Sequence, residues 1–197
     1  MAIGVRVIAQ ETLSDWRFRL TRTRAEIEEA DGARRVLDHE IYHHGPAAAV
    51  LLFDPARRVV MLVRQFRLAA YLADKTPETL ETCAGMLDGD DPETCVRREA
   101  MEETGVRIAA ARHAFDAFTS PGALTEKIGC FVAAYGVVDR VGAGGGVDAD
   151  EHIDVVEVGY EEAEAMIASG AIRDAKTIAL IYYAKATGLF APTSANR

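Results

Sequence analysis

Cysteine is scarce in this 197-residue chain, with three in all, at positions 83, 95 and 130. That odd number and spacing give neither a disulfide framework nor a zinc site, which fits a reducing compartment. The three thiols are expected to be buried small apolar groups. Long apolar runs are missing: no stretch of 18 or more could cross a membrane. The opening residues MAIGVRVIAQETLSD lack the basic-then-apolar layout of a secretory signal. A cytoplasmic protein with no membrane partner is expected. Positive charge is also short. Lysine and arginine number 22 against 31 acids, a net charge of −9, and no basic cluster could track a phosphate backbone, so no nucleic-acid partner is expected. The histidines, His39, His43, His44, His113 and His152, form no ligand spacing and read as ordinary surface or core residues. No repeat or low-complexity tail is present.

What remains is ample for a folded domain, since 49% of residues are hydrophobic. Residues 4–10, 16–27 and 33–42 read as extended segments, the last two joined at the turn Glu29-Ala30-Asp31-Gly32. They predict an N-terminal β-module over 1–44, with the main domain over 45–197. Ala47–Phe53 and Val59–Phe66 flank Asp54-Pro55-Ala56-Arg57 and predict a hairpin. Leu80–Ala84 reads as one short strand, and a helix is predicted over 93–104, with Pro92 in its first turn and Gly105 as its stop. Val106–Thr119, Ile128–Asp139 and His152–Val158 read as strands, and Gly142 to Gly146 as a flexible loop. Two helices are expected to close the chain, Tyr160–Ser169 and 174–187, the second with apolar positions at Ile178, Ile181 and Tyr182. Strands on both sides of one central helix, with more helices at the end, predict an α/β sandwich around a mixed sheet.

The run from Gly85 to Val106, GMLDGDDPETCVRREAMEETGV, carries the chemistry. Side chains three and four positions apart share a helix face, so Glu99, Glu102 and Glu103 crowd together. Such acids either stay in water or hold a hard divalent cation, for which carboxylate oxygens are natural ligands. An acidic site of this kind accepts an anionic substrate only through metal ions.

Arg98, Glu99, Ala100, Glu102, Glu103, Gly105 and Val106 fall in register with the second half of the Nudix box, and the chain resembles the Nudix hydrolases. The first half departs. Asp90 stands where the box has its first glutamate, and four residues instead of five separate it from Gly85. The Nudix branch that hydrolyses GDP-mannose is similar in this shortened loop. The likeness continues through Glu81-Thr82-Cys83-Ala84-Gly85, Ser120-Pro121-Gly122, Gly144-Gly145-Gly146-Val147 and Ile172-Arg173-Asp174-Ala175-Lys176-Thr177.

This resemblance implies the Nudix fold, an α/β/α sandwich with a mixed sheet, and Mg²⁺-dependent hydrolysis of a nucleoside diphosphate sugar, with Mn²⁺ as the other possible ion. It implies metal ligation by Glu99, Glu103, Glu151 and the Ala84 carbonyl, with Glu102 assisting through water and Arg98 holding the glutamates. Glu126 is implied either as the base that orients water or as a hydrogen-bond acceptor. Arg67 and Lys176 are implied at the phosphates, and Arg17, Glu40, Ala84, Gly85, Met86, Glu103, Glu126, Asp150 and Glu151 as further substrate contacts. Trp16 lies beside Arg17 on the strand implied to meet the base, and Asp38 stands where relatives place a basic residue. A homodimer, with N-terminal strands crossing to the partner, is implied as well. GDP-mannose leads among substrates, with ADP-ribose as the alternative. A nucleotide sensor that does not cleave is the rival from another class.

Overall fold

The segment Ala47–Asp54, AAAVLLFD, is buried at every position, as a strand must be when helices cover both faces of its sheet. In the computed structural model, which describes residues 2–147 and 152–190, this strand (β4) lies inside a seven-stranded mixed sheet. Side chains alternate across a strand, and here the alternation divides the core in two. Ala47, Ala49, Leu51 and Phe53 pack with Leu180, Ile181 and Ala184 of one helix, whereas Ala48, Val50 and Leu52 pack with Cys95, Val96 and Ala100 of another. Those helices are α4 (Ala175–Ala186) and α2 (Pro92–Thr104), so the layers are helix, sheet, helix.

The chain forms two compact units, 1–46 with 118–127, and 47–117 with 128–197. In the second, β5 (Val59–Gln65) folds back antiparallel on β4 as the hairpin sequence predicts. The two strands pair only beside their turn, through Leu52–Asp54 and Val59–Met61. Farther along they part, and β6 (Thr79–Glu81) pairs with β5 while β7 (Cys83–Met86) pairs with β4. The expected single strand over Leu80–Ala84 is thus broken at Thr82. Its N–H is given to Thr177 Oγ1 at 2.7 Å and its hydroxyl to the Val50 carbonyl, so side chains replace one rung of the ladder. Strand β8 (Arg112–Phe118), β9 (Lys127–Ala134) and β10 (Ile153–Gly159) complete the sheet, β9 parallel to β4 and β10 antiparallel to β5.

Two predicted strands are shorter than their patterns suggested. Val106 and Ile108 are buried against α2, and the Val106 N–H closes the helix on the Ala100 carbonyl at 3.2 Å, so β8 starts only at Arg112. After β9, Gly136 donates to Asp139 Oδ2 at 2.8 Å and the chain curls into a 3₁₀ turn, Val137–Asp139. Helix α1 (Leu68–Asp74) is absent from the sequence reading because it buries no residue and therefore shows no periodic face. Helix α3 (Tyr160–Ser169) has the predicted limits. In α4 the inward face is Thr177, Leu180, Ile181 and Ala184, and Tyr182 is 45% exposed. All three cysteines are buried and unbridged. No described helix is long and apolar enough to cross a membrane.

The first unit is an antiparallel sheet of β1 (Ala2–Asp15), β2 (Arg19–Glu29) and β3 (Arg34–His43), in that order. Residues 118–127 join it through Tyr42, whose N–H is accepted by the Ala123 carbonyl at 2.8 Å and whose carbonyl accepts from Thr125 N at 3.2 Å.

Helix α2 is capped at both ends by groups that the sequence displays. Asp91 accepts from the N–H groups of Glu93 and Thr94 at 3.0 and 3.1 Å. Gly105 ends the helix in the left-handed region, φ +71°, and a Cβ there would stand 2.2 Å from the Gly142 carbonyl oxygen. Gly105→Ala is therefore expected to lower stability by about 1–3 kcal/mol. Gly89→Ala, at φ +98° with nothing within 4 Å of its Cβ, is expected to carry backbone strain alone and cost less. Thermal unfolding of both variants against the parent checks the order.

Candidate active site

Strand β7 and helix α2 approach so closely that a helix side chain fills the place of a Cβ on the strand. An ideal Cβ on Gly85 would lie 1.9 Å from Glu99 Oε1, so the Glu99 carboxylate occupies the space that any other residue's side chain would need. One turn on, Glu103 is only 5% exposed and its Oε2 accepts the Ala84 N–H at 3.2 Å. Burial, reinforced by the charge of Glu99 and opposed by hydrogen bonds from Cys83 and Ala84, pushes the Glu103 carboxyl up to about 7. Arg98 ties the acidic face together. Its Nη1 donates to Glu99 Oε1 at 2.7 Å and to Glu102 Oε2 at 3.2 Å, and its Nη2 to the Met86 carbonyl at 3.1 Å. Glu102 stays on the outer side of this group, paired with Arg98.

The glycine-rich loop, read as flexible, is docked on the end of this helix. Gly145 N–H donates to the Glu103 carbonyl at 2.9 Å and Gly146 N–H to the Glu102 carbonyl at 3.1 Å. These bonds satisfy acceptors that a helix C-terminus leaves open. Gly144 has φ +73°, and a Cβ there would meet the Glu103 carbonyl oxygen at 2.4 Å, so glycine permits this close contact. Asp150 and Glu151, expected just beyond this loop, lie outside the described residues.

Arg67 and Lys176, from opposite ends of the second unit's sequence, meet on one carboxylate. Glu81, on β6 and 4% exposed, accepts from Arg67 Nε at 2.9 Å and Nη2 at 3.0 Å, and from Lys176 Nζ at 2.6 Å. Burial would raise the Glu81 carboxyl, but the Arg67 hydrogen bonds and both cationic charges outweigh it and hold the acid well below the usual carboxylate range. Lys176 also contacts Asp174 Oδ1 at 3.0 Å, and burial, which would discharge the amine, loses to the two acids. Arg67 lies close enough to Glu103 for each charge to act on the other.

Arg17, Glu40 and Glu126 belong to the first unit. Arg17 is exposed, its guanidinium 5.9 Å from the Phe18 ring, and Glu40 is exposed on β3. Glu126 is held by Thr119 Oγ1 at 2.6 Å on Oε2 and by His44 Nδ1 at 3.0 Å on Oε1. His44 Nδ1 also faces the Gly45 carbonyl at 3.2 Å. A ring nitrogen facing two acceptors carries the proton, so His44 donates from Nδ1. His44 is therefore a partner of a candidate site acid, not the ordinary residue that the sequence suggested.

Among the described residues, no group of three or more His, Cys, Asp or Glu side chains converges as a metal site. Of the expected donors, Glu99, Glu103 and the backbone of Ala84 lie within the described residues. They suit a hard divalent cation in kind, since all are oxygens and two are carboxylates. The charge of Glu99 acts on the deeply buried Glu103, and a positive ion beside them would relieve it.

Two residues escaped the sequence reading, Glu81 and His44. An acid on a strand between Leu80 and the buried Cys83 is a signal that could have marked Glu81. Nothing in the local sequence marks His44.

Gly85→Ala gives a direct check on this geometry. The added methyl is expected to displace the flexible Glu99 carboxylate while leaving the fold intact, with a melting point within a few degrees of the parent and a fall in activity of about tenfold or more. Circular dichroism melts and turnover of the same preparation measure both.

A NUDIX domain model matches residues 43–181. GDP-mannose pyrophosphatase of Klebsiella pneumoniae subsp. pneumoniae is 40% identical over 195 residues, 98% of each chain. GDP-mannose pyrophosphatase of Escherichia coli (strain SMS-3-5 / SECEC) is 40% identical over 192 residues, 96% of this chain and 99% of that one. Among solved structures, a crystal structure of an ADP compounds hydrolase shares the fold, with a TM-score of 0.72 and 17% identity over 95% of both chains. With the box carried on α2 and these matches spanning most of its length, the chain belongs to the Nudix hydrolase family.

Proposed function

We propose that this chain hydrolyses the diphosphate linkage of a nucleoside diphosphate sugar, GDP-mannose, to GMP and mannose 1-phosphate, with Mg²⁺ or Mn²⁺ as its ion. The observation that carries the reading is the pair Glu99 and Glu103, set against the backbone of Gly85 and Ala84, with Glu99 braced by Arg98. The choice of GDP-mannose is supported by full-length relatives of that name at 40% identity and by the shortened loop between Gly85 and Asp90.

When bound, the ion would supply neutralisation of diphosphate charge and activation of water. Glu99, Glu103 and the Ala84 carbonyl would hold it, with Glu151 completing the set. Arg98 keeps Glu99 and Glu102 in place. Arg67 and Lys176 meet the anionic oxygens, the guanidinium through paired N–H groups and the amine as a point charge. Glu126, held by Thr119 and His44, is the acceptor that orients the attacking water. Substrate is gripped further by Gly85, Met86 and Asp150, by Arg17 in the turn between β1 and β2, and by Glu40 of β3.

The same reading makes the enzyme a cytoplasmic homodimer that binds no nucleic acid, with residues 1–44 as the dimerising module and 45–197 as the hydrolase domain. The N-terminal sheet supports this. Val5 and Val7 are exposed on one of its faces, and Trp16, in the turn between β1 and β2, is 93% exposed, apolar surface suited to a protein partner.

Glu103→Gln is expected to lower kcat/KM by roughly 100-fold or more, since the amide keeps the shape and loses the charge. Turnover of a nucleotide-sugar panel with Mg²⁺ checks the substrate: GDP-mannose is expected to lead, and equal or better turnover of ADP-ribose would overturn that choice. Small-angle scattering is expected to give twice the mass of one chain, and a single-chain mass at working concentration would contradict the dimer.

A further inference from the structure

Glu81 takes no part in metal holding, yet it is the most heavily engaged carboxylate of the described site. Its Oε1 accepts from Arg67 Nε and, at 2.6 Å, from Thr79 Oγ1, and its Oε2 accepts from Arg67 Nη2 and Lys176 Nζ. Four donors on one buried acid leave it no capacity for a ligand. The cations are not exhausted. A guanidinium has five N–H groups and Glu81 takes two from Arg67, whose side chain is 47% exposed. Lys176 has three donors, of which Glu81 and Asp174 take two.

Two cations side by side repel, and one carboxylate between them removes that cost while fixing their separation and direction. The elements tied this way are distinct: Arg67 precedes α1, Glu81 lies on β6 and Lys176 opens α4. A second clamp runs parallel to the first. Asp174 accepts from Thr177 N at 3.0 Å and Thr177 Oγ1 at 2.6 Å, and Thr177 Oγ1 in turn accepts from Thr82 N at 2.7 Å. The start of α4 therefore stays docked on the strand whether or not Glu81 is present, and the separate task left to Glu81 is aiming the two cations.

We propose that Glu81 is a positioning residue for substrate, holding Arg67 and Lys176 as a preset pair for the negative oxygens of a diphosphate. The inference rests on the reading of Arg67 and Lys176 as phosphate contacts. A gain from preset cations appears in binding, because the entropy of ordering two long side chains has been lost already on folding.

The test is steady-state kinetics with GDP-mannose on Glu81→Gln, Glu81→Asp, Arg67→Gln and Lys176→Met, with Mn²⁺ affinity measured on each protein by electron paramagnetic resonance. A glutamine keeps the volume but cannot accept from all four donors. Glu81→Gln is expected to raise KM about tenfold or more with kcat within about threefold and Mn²⁺ affinity unchanged. Glu81→Asp, which keeps the charge, is expected to recover part of the loss. A lowered melting point with KM unchanged would assign Glu81 a purely structural role and overturn the proposal. If Arg67→Gln and Lys176→Met leave KM unchanged, the phosphate-contact reading itself has failed. If they raise KM and Glu81→Gln does not, only the positioning role falls. Should Glu81→Gln fail to fold, Thr79→Val removes one bond to Glu81 and spares both cations; a KM rise of about twofold or more is expected, and no change would overturn the role.

Discussion

The site depends on one close approach, that of the Glu99 carboxylate to the backbone at Gly85. Everything around it can be derived from the need to bring a helix that near to a strand. The strand carries glycine at the crossing point, so the Glu99 carboxylate keeps its place. The helix must be rigid enough to keep its acids there, and Asp91 and Gly105 cap its two ends. The sheet must open to admit the strand, and β4 and β5 do so by pairing only beside their turn, which leaves room for β6 and β7. Hydrophobic packing of Cys95, Val96 and Ala100 against β4 anchors α2 from below. The acids on its other side are therefore fixed by the core itself.

Crowding acids in this way has an electrostatic cost, and the chain meets it with specific partners. Arg98 spans Glu99 and Glu102, and the glycine loop satisfies the carbonyls at the end of the helix. Glu103 is left as the strained member: burial, then the charge of Glu99, raises its carboxyl to about 7. A cation relieves that strain directly, which is why the same geometry that is awkward for the protein alone is useful for hydrolysis of a diphosphate. On the other side of the site the logic is reversed. Two cations are crowded, and Glu81 offsets them.

Much of this was legible in the residues. Pro92 and Gly105 bracket α2 because the missing N–H of one suits a helix's first turn and the left-handed freedom of the other suits its end. The buried β4 and the hairpin after it follow from an unbroken apolar run and a turn of Asp and Pro. The register of Arg98, Glu99, Glu102 and Glu103 marks the acidic face. What could not be read depends on pairing between distant segments. The break at Thr82 arises from Thr177, far along the chain, and the convergence of Arg67 and Lys176 arises from a strand that lies between them in space. The docked glycine loop was missed for a related reason: glycine marks both freedom and close contact, and only the partner, here the end of α2, distinguishes them. Helix α1 is invisible because it buries nothing.

The central claim is that Glu99 and Glu103 hold the divalent ion on which hydrolysis depends. Mn²⁺ titration followed by electron paramagnetic resonance, on the parent and on Glu99→Gln and Glu103→Gln, measures that directly. Saturable binding by the parent and its loss in both variants, with the fold retained, is the predicted result. Equal Mn²⁺ affinity in all three proteins would contradict the account.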